Sequence, residues 1–85
     1  MPAITIYTKD WCPYCAAAKS LLDKKGATFT EIDIGKQPEL RAEMIQMAGG
    51  RTSVPQIFID GRHIGGCDDI YALDERQELE PLLQA

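Results

Sequence analysis

Two short β-branched runs, "AITIYT" (3–8) and "TFTEIDI" (28–34), are separated by a stretch with room for one helix and little else. That stretch has the marks of a helix from about Pro13 to Lys25. Pro13 suits a first helical turn, where its missing N–H costs nothing. Ala17, Leu21 and Leu22 supply an apolar stripe. Lys24 and Lys25 suit the negative end of the helix dipole, and Gly26 suits a left-handed stop. A strand, a helix and a strand in this order demand two parallel strands joined by a right-handed crossover.

The remainder narrows the architecture further. A second helix is expected from about Pro38 to Ala48, with Leu40, Met44, Met47 and Ala48 on one face and both methionines filling the core. Gly49-Gly50 ends it. "VPQIFI" (54–59) reads as a third strand, and Asp60-Gly61 is a strong two-residue hairpin signal leading into a short fourth strand, "RHIG" (62–65). "GGCDD" (65–69) opens a last helix from about Asp68, and Pro81 is expected to mark a break before the terminal "LLQA". The fold class is therefore α/β, in the order β-α-β-α-β-β-α: one four-stranded mixed sheet with helices on both faces. Residues 1–85 are too few for two separate cores and read as a single domain.

The hydrophobic fraction of 45% and charged fraction of 26% are ordinary for a soluble globular chain. A formal charge of −4 argues against general nucleic-acid binding, though not against a small anion held by local cations. No stretch approaches 18 apolar residues, so no membrane span is expected. "MPAITIYTKDW" lacks the basic and apolar regions of a signal peptide. Three cysteines is an odd number for a secreted disulfide framework, and a cytoplasmic location is expected.

Two of those cysteines, Cys12 and Cys15, are separated only by Pro13 and Tyr14. A bond between them closes a tiny loop and is a poor staple, because chain-entropy stabilisation shrinks with loop length. A redox pair suits the spacing better. Residues three apart on a first helical turn share a face, so their sulfurs can bond. Cys12, at or next to the N-cap, meets free N–H groups and the dipole, which favour a thiolate; Cys15 lies a turn deeper. Cys12 is thus the expected nucleophile and Cys15 the resolving thiol, with Lys9 and Lys19 able to add positive potential. A rival reading takes Cys12, Cys15, His63 and Cys67 as four zinc ligands; His63 is otherwise expected as an exposed pairing residue on an edge strand.

"CPYC" after a strand and Lys9, "TSVP" (52–55) before the third strand, and "GGCDD" before the last helix together resemble a bacterial dithiol glutaredoxin. The resemblance covers essentially the whole chain. It implies the thioredoxin fold, a cis Val54–Pro55 bond, and glutathione-dependent reduction of protein disulfides and protein–glutathione mixed disulfides, with glutathione as co-substrate. It also implies positions for glutathione: Lys9 and Arg41 at the glycyl carboxylate, Tyr14 lining the groove, and Ser53, Val54 and Pro55 flanking the cysteinyl portion. The γ-glutamyl carboxylate would meet the backbone N–H groups of Cys67 and Asp68, and its ammonium Asp68 or Asp69. Implied partners are glutathione, protein disulfides, glutathionylated proteins and ribonucleotide reductase. A monomer is expected, with no nucleic acid, no membrane and no resident metal, although some glutaredoxins bridge an iron–sulfur cluster between two subunits. No Gly-x-Gly-x-x-Gly fingerprint is present, so any NADPH dependence must enter through a separate reductase. Ser53 stands where threonine is common, Trp11 where a small polar residue is usual, and Gly49-Gly50 is one residue longer than usual. Cys67 has no evident catalytic partner and reads as a small helix-start residue.

Overall fold

A computed structural model describes residues 2–84. The strands are β1 (Ile4–Thr8), β2 (Thr30–Asp33), β3 (Gln56–Ile59) and β4 (Arg62–Gly65); the helices are α1 (Pro13–Lys24), α2 (Arg41–Met47), α3 (Cys67–Glu75) and α4 (Leu79–Gln84). The sheet order is β2-β1-β3-β4. β1 and β2 are parallel, β1 and β3 antiparallel, and β3 and β4 antiparallel, so the expected mixed sheet is present.

Alternation along the strands divides the core. Ile4, Ile6, Ile57 and Ile59 join Ala18, Leu21, Leu22, Ile70, Leu79 and Leu83, which come from α1, α3 and α4. Tyr7 and Phe58 point the other way, to Met44, Ala48 and Ile34. Every residue of β3 is buried, because both of its faces are covered. Truncating Ile57 or Leu22, both without solvent exposure, to alanine costs roughly 2–5 kcal/mol.

The turns follow local chemistry. Asp60 and Gly61 both have positive φ (51° and 79°), as a tight hairpin requires. Asp60 also ties the hairpin to the chain start, its carboxylate accepting from the Ala3 N–H at 2.8 Å. At the end of α1, Gly26 takes φ 70°, and the N–H of Ala27 reaches back to the carbonyl of Leu22 at 3.0 Å.

Three expectations need correction. The second helical segment is not uniform: Pro38–Leu40 form a 3₁₀ turn that feeds α2. Met44 has no solvent exposure, but Met47 is 42% exposed, because so short a helix turns only a narrow stripe to the sheet. The break near the end lies at Arg76–Glu78, where Gln77 takes φ 59° and the N–H of Glu78 bonds the carbonyl of Leu73 at 2.8 Å. Pro81 instead sits in the first turn of α4, where a missing N–H is harmless. Ala85, the last residue of "LLQA", lies outside the described residues. No helix among the described residues is long and apolar enough to cross a membrane.

Candidate active site

The chain leaves β1 at Thr8 and enters α1 at Pro13, with Cys12 as the N-cap in an extended conformation (φ −109°, ψ 103°). Its sulfur takes the place of a capping oxygen, accepting from the N–H of Cys15 at 3.2 Å. As a thiol it also donates to the carbonyl of Val54 at 3.8 Å, across to the loop before β3. Cys12 is partly exposed, whereas Cys15 is only 2% exposed. Burial, then the Cys12 sulfur beside it, push the Cys15 thiol up to about 12; the backbone N–H of Lys9 and the charge of Lys19 pull the other way. Both cysteines, and Cys67, are free thiols. The two cysteines thus differ in exposure, one partly open and the other buried.

Three clefts lie along this part of the surface, and Cys12 itself lines the third of them. Tyr14, Ser53, Val54, Pro55, Cys67 and Asp68 line one, together with Arg51 and Gly66. Lys9, Arg41, Ser53 and Val54 line an adjoining one with Ile34, Gly35 and Thr52. Ser53 and Val54 are therefore the wall between them, and the Val54–Pro55 bond in that wall is cis. The third, beside both cysteines, holds Lys9, Asp10, Trp11, Lys19 and Glu31. There Lys19 is paired with Glu31 at 3.0 Å, and Glu31 accepts from the Thr8 hydroxyl at 2.7 Å. That hydroxyl, ahead of Lys19, holds the Glu31 carboxyl below its ordinary range. Trp11 stands 99% exposed with φ 59°.

Asp69 is absent from the lining of these three clefts. Its carboxylate turns back to accept from the Gly66 N–H at 2.7 Å and pairs with Arg51 at 3.0 Å. The Gly66 bond first, and Arg51 second, keep its pKa below the usual value. There is no room at Gly65 for a side chain: a Cβ would collide with the Asp69 carboxylate. Cys67 is buried, and that burial, with Asp68 and Cys12 nearby, pushes its thiol up. His63 is half-buried rather than exposed, its ring 5.1 Å from that of Phe58 and its Nε2 bonded to Gln56. Among the described residues, no three His, Cys, Asp or Glu side chains are grouped to hold a metal ion.

In the first cleft, Arg51 and Gly66 stand beside the residues expected from the sequence. Gly66 was detectable from its spacing to Asp69, which is that of an N-cap and the acidic residue reaching back to it. Arg51 carried no signal beyond its place next to "TSVP".

Two free thiols at a helix mouth, one reachable and one withheld, beside open clefts, define a site for thiol–disulfide exchange. A sequence profile described as Glutaredoxin matches residues 4–64. The chain is 57% identical over 84 residues to Glutaredoxin 3 of Escherichia coli strain K12, covering 99% of this chain and 100% of that protein. It is 53% identical over 85 residues to a glutaredoxin of Pseudomonas aeruginosa, covering 100% of each. Among solved structures it matches a buckwheat glutaredoxin–glutathione complex with a TM-score of 0.89 at 31% identity, over 98% of this chain and 77% of that one. The chain belongs to the glutaredoxin family, and is a glutathione-dependent thiol–disulfide oxidoreductase of the thioredoxin fold.

Proposed function

We propose that Cys12 is the nucleophile and Cys15 the resolving thiol in the reduction of protein–glutathione mixed disulfides and protein disulfides. The observation that carries this reading is the helix-mouth geometry: the Cys12 sulfur is partly exposed and accepts the Cys15 N–H, while Cys15 is buried. In the first reaction, the Cys12 thiolate attacks the glutathionyl sulfur of the mixed disulfide. A Cys12–glutathione disulfide forms, the original S–S bond breaks, and the protein thiolate leaves and takes up a proton. A second glutathione thiolate then attacks the bound glutathionyl sulfur, releasing oxidised glutathione and the Cys12 thiolate. In the dithiol route Cys12 first joins a sulfur of the protein disulfide. Cys15 then attacks Cys12, expelling the reduced substrate, and two glutathiones reopen the internal bond.

Glutathione fits the two clefts that share Ser53 and Val54. Lys9 and Arg41 are the cations available to its glycyl carboxylate, Tyr14 lines the groove, and Ser53, Val54 and Pro55 flank its cysteinyl portion. The N–H groups of Cys67 and Asp68, at the positive end of α3, suit the γ-glutamyl carboxylate. Asp68 is the carboxylate free for the ammonium; Asp69 serves through its bonds to Gly66 and Arg51. The buckwheat complex with glutathione supports this choice of ligand. The reading extends to a cytoplasmic monomer that passes electrons to protein disulfides, including that of ribonucleotide reductase.

A turnover assay on a glutathionylated peptide and on a protein disulfide tests the division of labour. Cys12→Ser should abolish both activities, and Cys15→Ser should keep the first and lose the second. Equal loss of both in Cys15→Ser contradicts the assignment.

A further inference from the structure

Gln56 is a fully buried polar side chain at the start of β3, directly after Pro55. A buried amide is tolerated only when its donors and acceptor are bonded. Its Nε2 donates to the Ser53 carbonyl at 2.9 Å and approaches the Ser53 hydroxyl at 3.3 Å. Its Oε1 lies 2.7 Å from Nε2 of His63. These contacts set the orientation of the amide and the hydrogen on one ring nitrogen. The Ser53 carbonyl can only accept, so the amide nitrogen must face it, and the amide oxygen must face His63. His63 Nε2 therefore carries the hydrogen. The ring is held against Phe58. Burial, followed by the charge of Arg51, lowers the His63 pKa and favours the neutral ring, against the opposing pull of the Asp69 charge.

Neither Gln56 nor His63 lines any of the three clefts of the candidate site, yet Ser53 and Val54 line two of them. The bonds run from the outer strand, through the sheet, into the back of that shared wall.

We propose that Gln56 and His63 are positioning residues for glutathione recognition: together they brace the Ser53–Val54 segment from behind, holding its outer edge at the spacing a glutathionyl disulfide needs. The proposal rests on the reading that this segment meets glutathione. Without His63, the Gln56 amide oxygen is left buried without its partner. The amide must then rotate or the loop must move, and either change releases Ser53.

The test compares His63→Leu with His63→Gln, whose side-chain amide can still donate to Gln56, and adds Gln56→Leu. Each is assayed on a glutathionylated peptide and on the same peptide in mixed disulfide with 2-mercaptoethanol. The expected result for His63→Leu is a KM for the glutathionylated peptide raised roughly tenfold with kcat nearly unchanged, while His63→Gln stays within about twofold of the parent. Gln56→Leu should follow His63→Leu; if it does not fold, the His63 pair decides. An unchanged KM in His63→Leu, or an equal rise in both His63 variants, overturns the bracing role. If the parent handles both mixed disulfides with the same KM, the glutathione wall itself is wrong, and that failure is distinct from failure of the brace alone.

Discussion

Two helix mouths open near the Ser53–Val54 loop, and they are finished differently. At α3 the backbone N–H of Gly66 is capped by Asp69, a carboxylate from the helix's own first turn that is anchored by Arg51. At α1 no acidic residue lies in the first turn, and the cap is the sulfur of Cys12. A thiol is a weaker acceptor than a carboxylate or hydroxyl and is not a preferred N-cap. Both helices offer the same partial positive charge. At α3 a carboxylate closes the mouth; at α1 the mouth holds a sulfur, the nucleophile of the proposed mechanism. Part of the stability of α1 is given up to keep a reactive group where a better cap would sit.

The sharpest way to break that contrast is Cys12→Ser. Serine is the better N-cap, so the variant should be at least as stable as the parent, by about 0.5–1 kcal/mol in urea unfolding. Its turnover should fall by at least about a thousandfold, since the nucleophile is gone. A variant that is both inactive and clearly destabilised would show that the sulfur is a structural cap after all. The opposite test is made at α3. Asp69→Ala should cost about 1 kcal/mol at pH 7. The folded-state pKa of Asp69 is lowered, so its stabilisation is present above the ordinary value of 3.8 and is lost as pH falls through the folded value. The gap between parent and variant in urea midpoint should therefore persist through neutral pH and close as the pH is taken below 3.8. Lys19→Met should have the smallest effect. The pair with Glu31 is partly exposed and contributes little to stability, about 0.5 kcal/mol or less. Removing its charge takes away one of the influences that ease Cys15 ionisation. Stopped-flow measurement of internal disulfide formation should then slow a few-fold, with the first attack by Cys12 unaffected.

The same contrast marks how far the sequence could be read. Cys12 at a cap, Pro13 in the first turn and Gly26 as a stop are local facts, and local chemistry sufficed for α1. The parallel pair and the Asp60-Gly61 hairpin follow from element order and turn chemistry, which fix the sheet. Asp69 was legible as an acidic residue at a helix start, and its bond to Gly66 is local, but its pairing with Arg51 depends on a tertiary approach across 18 residues. Gln56 looks like an ordinary polar residue in a strand; only the packing of β4 against β3 makes it buried and bonded. Met47 failed because periodicity gives a face but not its width. Pro81 failed because a proline is as compatible with a helix's first turn as with its end.

The central claim is that one sulfur at the mouth of α1 is presented for reaction while its neighbour is withheld. Alkylation of the reduced protein with limiting iodoacetamide at pH 7, read cysteine by cysteine by mass spectrometry, tests it directly. The predicted result is modification of Cys12 alone, with Cys15 and Cys67 reacting only after unfolding. Modification of Cys15 at a rate comparable to that of Cys12 in the folded protein would contradict it.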